Sequence, residues 1–230
     1  MSFGTLIINE SGFVQIDGTY DNISAFATGS VTRSYANSSG QEVVNKVTFP
    51  TNTPNDYLIF VKPSAQTTTR QVTLAVYSDG FAFFAPWQAN ASFSLDYFIG
   101  VRSEDMPTNS NPDFGFEVYK SNGDQAFSSN NANFMISAVS FDNLSAVNNT
   151  PSAFSVSSMS GVYTLMSGKN YIGRSPAGFP YYSTVYSFFQ EFNFANNTIS
   201  GKITPVTAAP PTQGGSFGGG FKTNLIGTLI

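Results

Sequence analysis

DYLIFVK at residues 56–62 and DYFIGVR at residues 96–102 carry one pattern twice. Tyr57, Ile59 and Val61, and again Tyr97, Ile99 and Val101, fall on every second position and so share one face of an extended strand. Such a pair describes central strands of a β-sandwich, and the alternation continues outward from it. Further strands are expected over residues 5–8, 13–16, 23–28, 42–49, 71–77, 81–85, 114–119, 134–141, 162–166, 182–194 and 198–204. No window of a dozen residues holds an apolar stripe at helical spacing without Gly, Pro or a β-branched cluster interrupting it. Asp17-Gly18, Asp79-Gly80 and Asn122-Gly123 accept tight hairpin turns, so each is expected to join or end strands. The fold class is therefore all-β: β-sandwich modules with long loops.

A second echo organises the chain. FGTLIINESGFVQID at residues 3–17 aligns, 111 residues later, with FGFEVYKSNGDQAFS at residues 114–128. Both open on Phe-Gly, place a second Gly eight positions after the first, and read as strand, polar turn, strand. Between the copies lies EDMPTNSNP at residues 104–112, where two prolines forbid a continuing central strand. The expected division is an N-terminal module over residues 1–104, a second module over 113–204 and a Gly/Pro-rich tail over 205–230. In that tail Pro210-Pro211 is expected to stop the last strand, and the glycines that follow cost entropy to order. Phe217, Phe221, Leu225, Ile226, Leu229 and Ile230 need cover, so the tail is expected to dock on a neighbouring copy or partner as an added edge strand.

Absences narrow the chemistry. The chain has no His and no Cys, which removes an imidazole base, thiol catalysis, disulfides and the commonest zinc and iron ligands. Charged residues are 10% and the net charge is -4, against a surface that tracks nucleic-acid phosphates. Hydrophobic residues at 41% and aromatics at 15% exclude disorder by composition. Polar character comes mainly from 30 Ser, 21 Thr and 21 Asn, so the surface is expected to be solvated by small neutral groups. The opening residues carry no basic n-region, and the longest apolar run, residues 81–87, contains Pro86 and is too short to span a bilayer. Export by its own signal and membrane insertion are not expected.

Candidate sites are few. Glu117 with Asp113, and Glu104 with Asp105, are carboxylate pairs by sequence proximity alone, and no motif supports a glycosidase. Asp17, Asp21 and Asn22 form the densest oxygen set, without the acid spacing of a calcium loop. The glycines of GGSFGGGFKT lack the order of a phosphate-binding loop. The expectation is no catalytic residue, no metal and no cofactor. Aromatics are the strongest positive signal. Trp87 with Tyr181 and Tyr182 could form a sugar-stacking platform, but Phe outnumbers Tyr and Trp, which suits packing in the core or between subunits. A carbohydrate-binding module is thus the alternative reading of function.

The opening FGTLIINESGFVQIDGTYDN and its echo FGFEVYKSNGDQAF resemble a family of small tail proteins from long-tailed bacteriophages, through Phe3, Gly4, Gly12 and Asp17 and then Phe114, Gly115, Gly123 and Phe127. Phe3 and Phe114 stand where that family more commonly has Tyr, and the ending GGSFGGGFKTNLIGTLI looks like its Gly-rich ends. The resemblance implies a virion structural component at the tail tip or baseplate, made in the bacterial cytoplasm. It also implies several copies assembled with other tail proteins, with a host cell-surface glycan or protein as a further partner. A metal-independent fold predicts that EDTA leaves the melting temperature unchanged. A fall of several degrees, reversed by calcium, would make residues 17–22 a binding loop.

Overall fold

Antiparallel strands make up nearly all regular structure in the computed structural model, which describes residues 6–8, 14–17, 22–33, 46–64, 69–84, 93–107, 115–144, 154–156, 159–166, 171–177, 182–209 and 220–230. In chain order the first strands are β1 (Leu6–Ile8), β2 (Val14–Asp17), β3 (Ile23–Arg33), β4 (Lys46–Thr48), β5 (Leu58–Pro63), β6 (Arg70–Tyr77), β7 (Gly80–Phe84) and β8 (Phe93–Arg102). They are followed by β9 (Glu117–Tyr119), β10 (Gln125–Ser128), β11 (Phe134–Leu144), β12 (Phe154–Ser155) and β13 (Tyr163–Leu165). The last four are β14 (Tyr171–Ala177), β15 (Tyr182–Asn193), β16 (Thr198–Ala209) and β17 (Gly220–Leu229). The all-β class is as expected. Short 3-10 turns stand at Ser103–Asp105 and Met159–Gly161.

The two echo strands 56–62 and 96–102 lie side by side. β5 and β8 pair antiparallel with Ile59 opposite Ile99, Phe60 opposite Phe98 and Lys62 opposite Asp96. They sit inside a six-stranded sheet of order β11-β17-β13-β5-β8-β3, and successive residues bury opposite faces of it. Ile59, Val61, Leu95, Ile99 and Val101 face one way, into a core shared with Val72, Leu74, Phe81, Phe83, Phe192 and Ile199 of the second sheet. That seven-stranded sheet runs β12-β16-β15-β6-β7-β4, with β14 also on β15. One polar link crosses the core, where Gln190 Nε2 donates to Thr164 Oγ1 at 2.7 Å.

On the other face of the six-stranded sheet Phe60 and Phe98 stack at 4.5 Å between centroids, with Phe134 4.5 Å from Phe60 and Tyr163 edge-on to Phe98 at 5.0 Å. Phe60 and Phe98 are fully buried because the sheet curls until its outer strands meet. Ser24 bridges Asn133, and the Ala25 N–H donates to the Ala132 carbonyl at 2.7 Å. An extra residue in each outer strand, Phe26 in β3 and Ser137 in β11, breaks the register near this closure. Bulges of this kind increase local twist and bend the strand. The closing seam is polar and buried: Ser24 Oγ lies 2.8 Å from Ser103 Oγ and donates to Asn133 Oδ1 at 3.0 Å.

Two expectations are corrected here. The six-stranded sheet takes strands from before residue 104, from 113–204 and from the tail, so strand pairing does not divide the chain at 104–113. The C-terminal segment is also no added edge strand on a neighbour. β17 pairs with β11 along ten positions and with β13 on its other side, inside the chain's own sheet. Ile226 is buried in the shared core, Leu229 packs against the Phe60 cluster, and Ile230 is exposed. Phe221 and Leu225 are paired positions of β17, whereas Phe217 and Pro210-Pro211 lie outside the described residues. Gly227 is required by this packing, since a Cβ there would lie 2.1 Å from the Met135 carbonyl oxygen.

Two strands differ from the spacing of the sequence. β16 continues past Thr204 to Ala209 because an unpaired residue, Val206, follows Pro205 and takes up the irregularity in its pairing with β15. β14 contains Gly173 and Pro176, which hid it from a reading based on alternation. At the Asn122-Gly123 turn the expectation holds: Gly123 has φ 92°, a left-handed conformation that suits Gly. A chain ending at Thr204 is therefore expected not to fold, and Ile226→Ala to cost about 2–5 kcal/mol in denaturant titration. A cooperative, near wild-type transition for the shortened chain would contradict the interior placement of β17.

Candidate functional site

The two FG-containing segments form a pair of matching hairpins. β1 pairs β2 with Leu6 opposite Asp17, Ile7 opposite Ile16 and Ile8 opposite Val14. β9 pairs β10 with Glu117 opposite Ser128, Val118 opposite Phe127 and Tyr119 opposite Gln125. Every partner in the second set stands 111 residues after its counterpart in the first. Even the register irregularity repeats, with Gln15 in β2 and Ala126 in β10 as the extra residue. Phe3, Gly4, Gly12 and Phe114 lie outside the described residues.

The hairpins pack on each other. Ile16, Val118, Ala126 and Phe127 form a small buried cluster of their own, with Met135 of β11 against it. Equivalent residues Ile16 and Phe127 are both in that contact, but their cross-strand partners differ. Val118 is 6% exposed and Ile7 is 43% exposed. Ile8, at 51%, is exposed beside it. Ile7, Ile8, Ile16, Met135, Ile136 and Ile230 line an open apolar cleft of about 370 Å³. On the second hairpin the exposed aromatics are Phe116 and Tyr119. The Tyr119 hydroxyl donates to Glu117, whose carboxylate raises the phenol pKa chiefly through that hydrogen bond.

A charged cluster ties the second hairpin to the sheet. Arg102 lies 2.9 Å from both Glu104 and Asp105 and 4.0 Å from Asp56. Lys120, from the hairpin turn, donates to the other oxygen of Glu104. Glu104 and Asp105 thus hold one guanidinium between them, which is an ion-pair arrangement and not two carboxylates facing across a cleft. Beside Arg102, Ile23, Asp56, Tyr57, Leu58 and Gly100 line a shallow cavity of about 290 Å³, where burial raises the Tyr57 pKa. Among the described residues no group of three or more His, Cys, Asp or Glu could hold a metal. Asn22 donates its amide to the Ala126 carbonyl at 2.8 Å, and Asp21 and Asp113 lie outside the described residues.

Trp87 and Tyr181 also lie outside the described residues, and Tyr182 begins β15 opposite Ala177. No described geometry brings that trio together as a glycan platform. Sequence reasoning missed the Arg102 ion-pair cluster and the Ile7–Ile8 exposure. The second had a visible signal, because Leu6-Ile7-Ile8 does not alternate with polar residues as a half-buried strand does. No family model, curated protein or solved structure matches the chain.

Ile16→Ala is expected to weaken the contact between hairpins by about 2–5 kcal/mol and to speed proteolytic cleavage between β1 and β2. Cleavage within the six-stranded sheet should keep its rate. Equal acceleration in both places would show that the hairpins open only with the whole fold.

Proposed function

We propose that the chain is a virion structural component of a bacteriophage tail tip or baseplate, assembled in several copies with other tail proteins and contributing to host attachment. The observation that supports this reading is the hairpin pair. Of the residues carrying the family resemblance, Asp17, Gly123 and Phe127 fall in two hairpins of identical register that pack together against Met135 of β11. In this reading the hairpins are the repeated unit of the resemblance, and the sheets are the body that carries them. The role is non-catalytic, and its chemistry is that of an assembly surface, with exposed aliphatic and aromatic side chains among neutral polar groups. Host contact would be made by Asn-, Ser- and Thr-rich loops, weak singly and multiplied by copy number.

Immunoelectron microscopy of virus particles tests this reading. Antibodies against the chain are expected to label the distal end of the tail. Particles that contain the chain but carry label only on the head, or particles without the chain at all, would refute the assignment.

A further inference from the structure

We propose that β1 is a self-pairing edge: in the assembled state, β1 of one copy lies antiparallel to β1 of a second copy, each hairpin extending the other into a four-stranded sheet. This deepens the assembly reading above and rests on it. Among the described strands β1 pairs only with β2, and no described strand takes up its outer edge. Free edges are templates for strand addition unless charge, proline or a bulge blunts them. β1 has none of these. Its residues are Leu6, Ile7 and Ile8, and the irregularity of the hairpin falls at Gln15 of β2, leaving the β1 side regular.

The second hairpin is the internal control. It has the same register, yet where β1 has Leu6 it carries Glu117, and where β1 has Ile8 it carries Tyr119 hydrogen-bonded to that carboxylate. One of two matching edges is thus blunted by charge and the other is purely aliphatic. A second copy is the occupant that the sequence of the edge favours. Antiparallel pairing about Ile7 sets Leu6 across from Ile8 twice and Ile7 across from Ile7, all aliphatic pairs with no like charges opposed. The cleft beside β1 is mainly apolar as well, with Met135, Ile136 and Ile230 beside Ser137 and Thr228. Three residues per edge bury less than the roughly 1,200 Å² of a stable interface, so between free copies the contact is weak and is populated at high protein concentration.

The absence of cysteine makes the test clean, because a single introduced thiol reports one position. Ile7→Cys, oxidised at high protein concentration, is expected to give a disulfide-linked dimer. Tyr119→Cys on the matching hairpin is expected to stay monomeric, since disulfides need Cα atoms within about 7 Å. Adding Ile8→Lys to Ile7→Cys, at an exposed position that leaves the circular dichroism unchanged, should abolish the cross-link. Equal cross-linking at both positions, none at Ile7, or cross-linking that survives the Lys would each overturn the edge contact. Tail labelling without an Ile7 cross-link would sink this inference alone. An Ile7 cross-link without tail labelling would sink the phage assignment and leave the edge contact standing.

Discussion

The antiparallel pairing of β5 with β8 is the constraint on which the rest of the structure depends. Because the two strands carry the same motif and run in opposite directions, the first residue of each copy falls near the last residue of the other. Lys62 therefore stands across from Asp96 at 3.4 Å, and Asp56 reaches Arg102 at 4.0 Å. Exposed pairs of this kind contribute only about 0–1 kcal/mol each. They favour the antiparallel alignment, since a parallel one would set Asp56 beside Asp96 and Lys62 beside Arg102. Most of the stabilisation comes from the middle of the pair, where Phe60 and Phe98 stack and are fully buried. Burial of such rings contributes about 1.5–3 kcal/mol each, and the aromatic contact a further 0.5–1.5 kcal/mol or so.

Everything else is placed by covering the two faces of that pair. One face is closed by the second sheet across the shared aliphatic and aromatic core. The other is closed by curling, which needs β17 to fill the space between β11 and β13 and the seam of Ser24, Ser103 and Asn133 to seal the end. Asn133 exchanges both backbone hydrogen bonds with Ile230 at 2.9 Å, so Ile230 is part of that seam. The last strand thus closes a sheet begun near the N-terminus. The hairpins stand on this closed end, with Lys120 joined to Glu104 just after β8 and Asn22 donating to Ala126 just before β3. The proposed assembly surface is held by the fold and takes little part in holding the fold together.

Much of this was legible in the sequence because strand alternation is local. The β5 and β8 segments, the hairpin at Asn122-Gly123 and the matching of residues 3–17 with 114–128 all follow from spacing and turn chemistry. What was not legible depended on partners distant in the chain. The run NLIG at residues 224–227 reads as an apolar end in need of cover, and nothing local says that β11 and β13 of the same chain supply it. The strand over 198–204 was drawn short of Ala209 because a single sequence does not show that an unpaired Val206 would absorb the irregularity beside Pro205. The Pro/Asn-rich loop at 104–112 has the same limit: it marks an end of strands, and strands on its two sides join one sheet. For the candidate site, Ile16 and Phe127 could be matched from sequence, whereas their mutual contact could not.

Native-state hydrogen exchange tests the central claim most directly. If the β5–β8 pair is the foundation and the hairpins are mounted on it, the amides of Ile59, Val61, Phe98 and Ile99 should exchange only through global unfolding, with the full denaturant dependence of that transition. The amides of β1, β2, β9 and β10 should exchange through a smaller, local opening with a shallow denaturant dependence. Hairpin amides protected as strongly as those of Ile59 and Ile99, or β5–β8 amides exchanging before β17, would contradict this account.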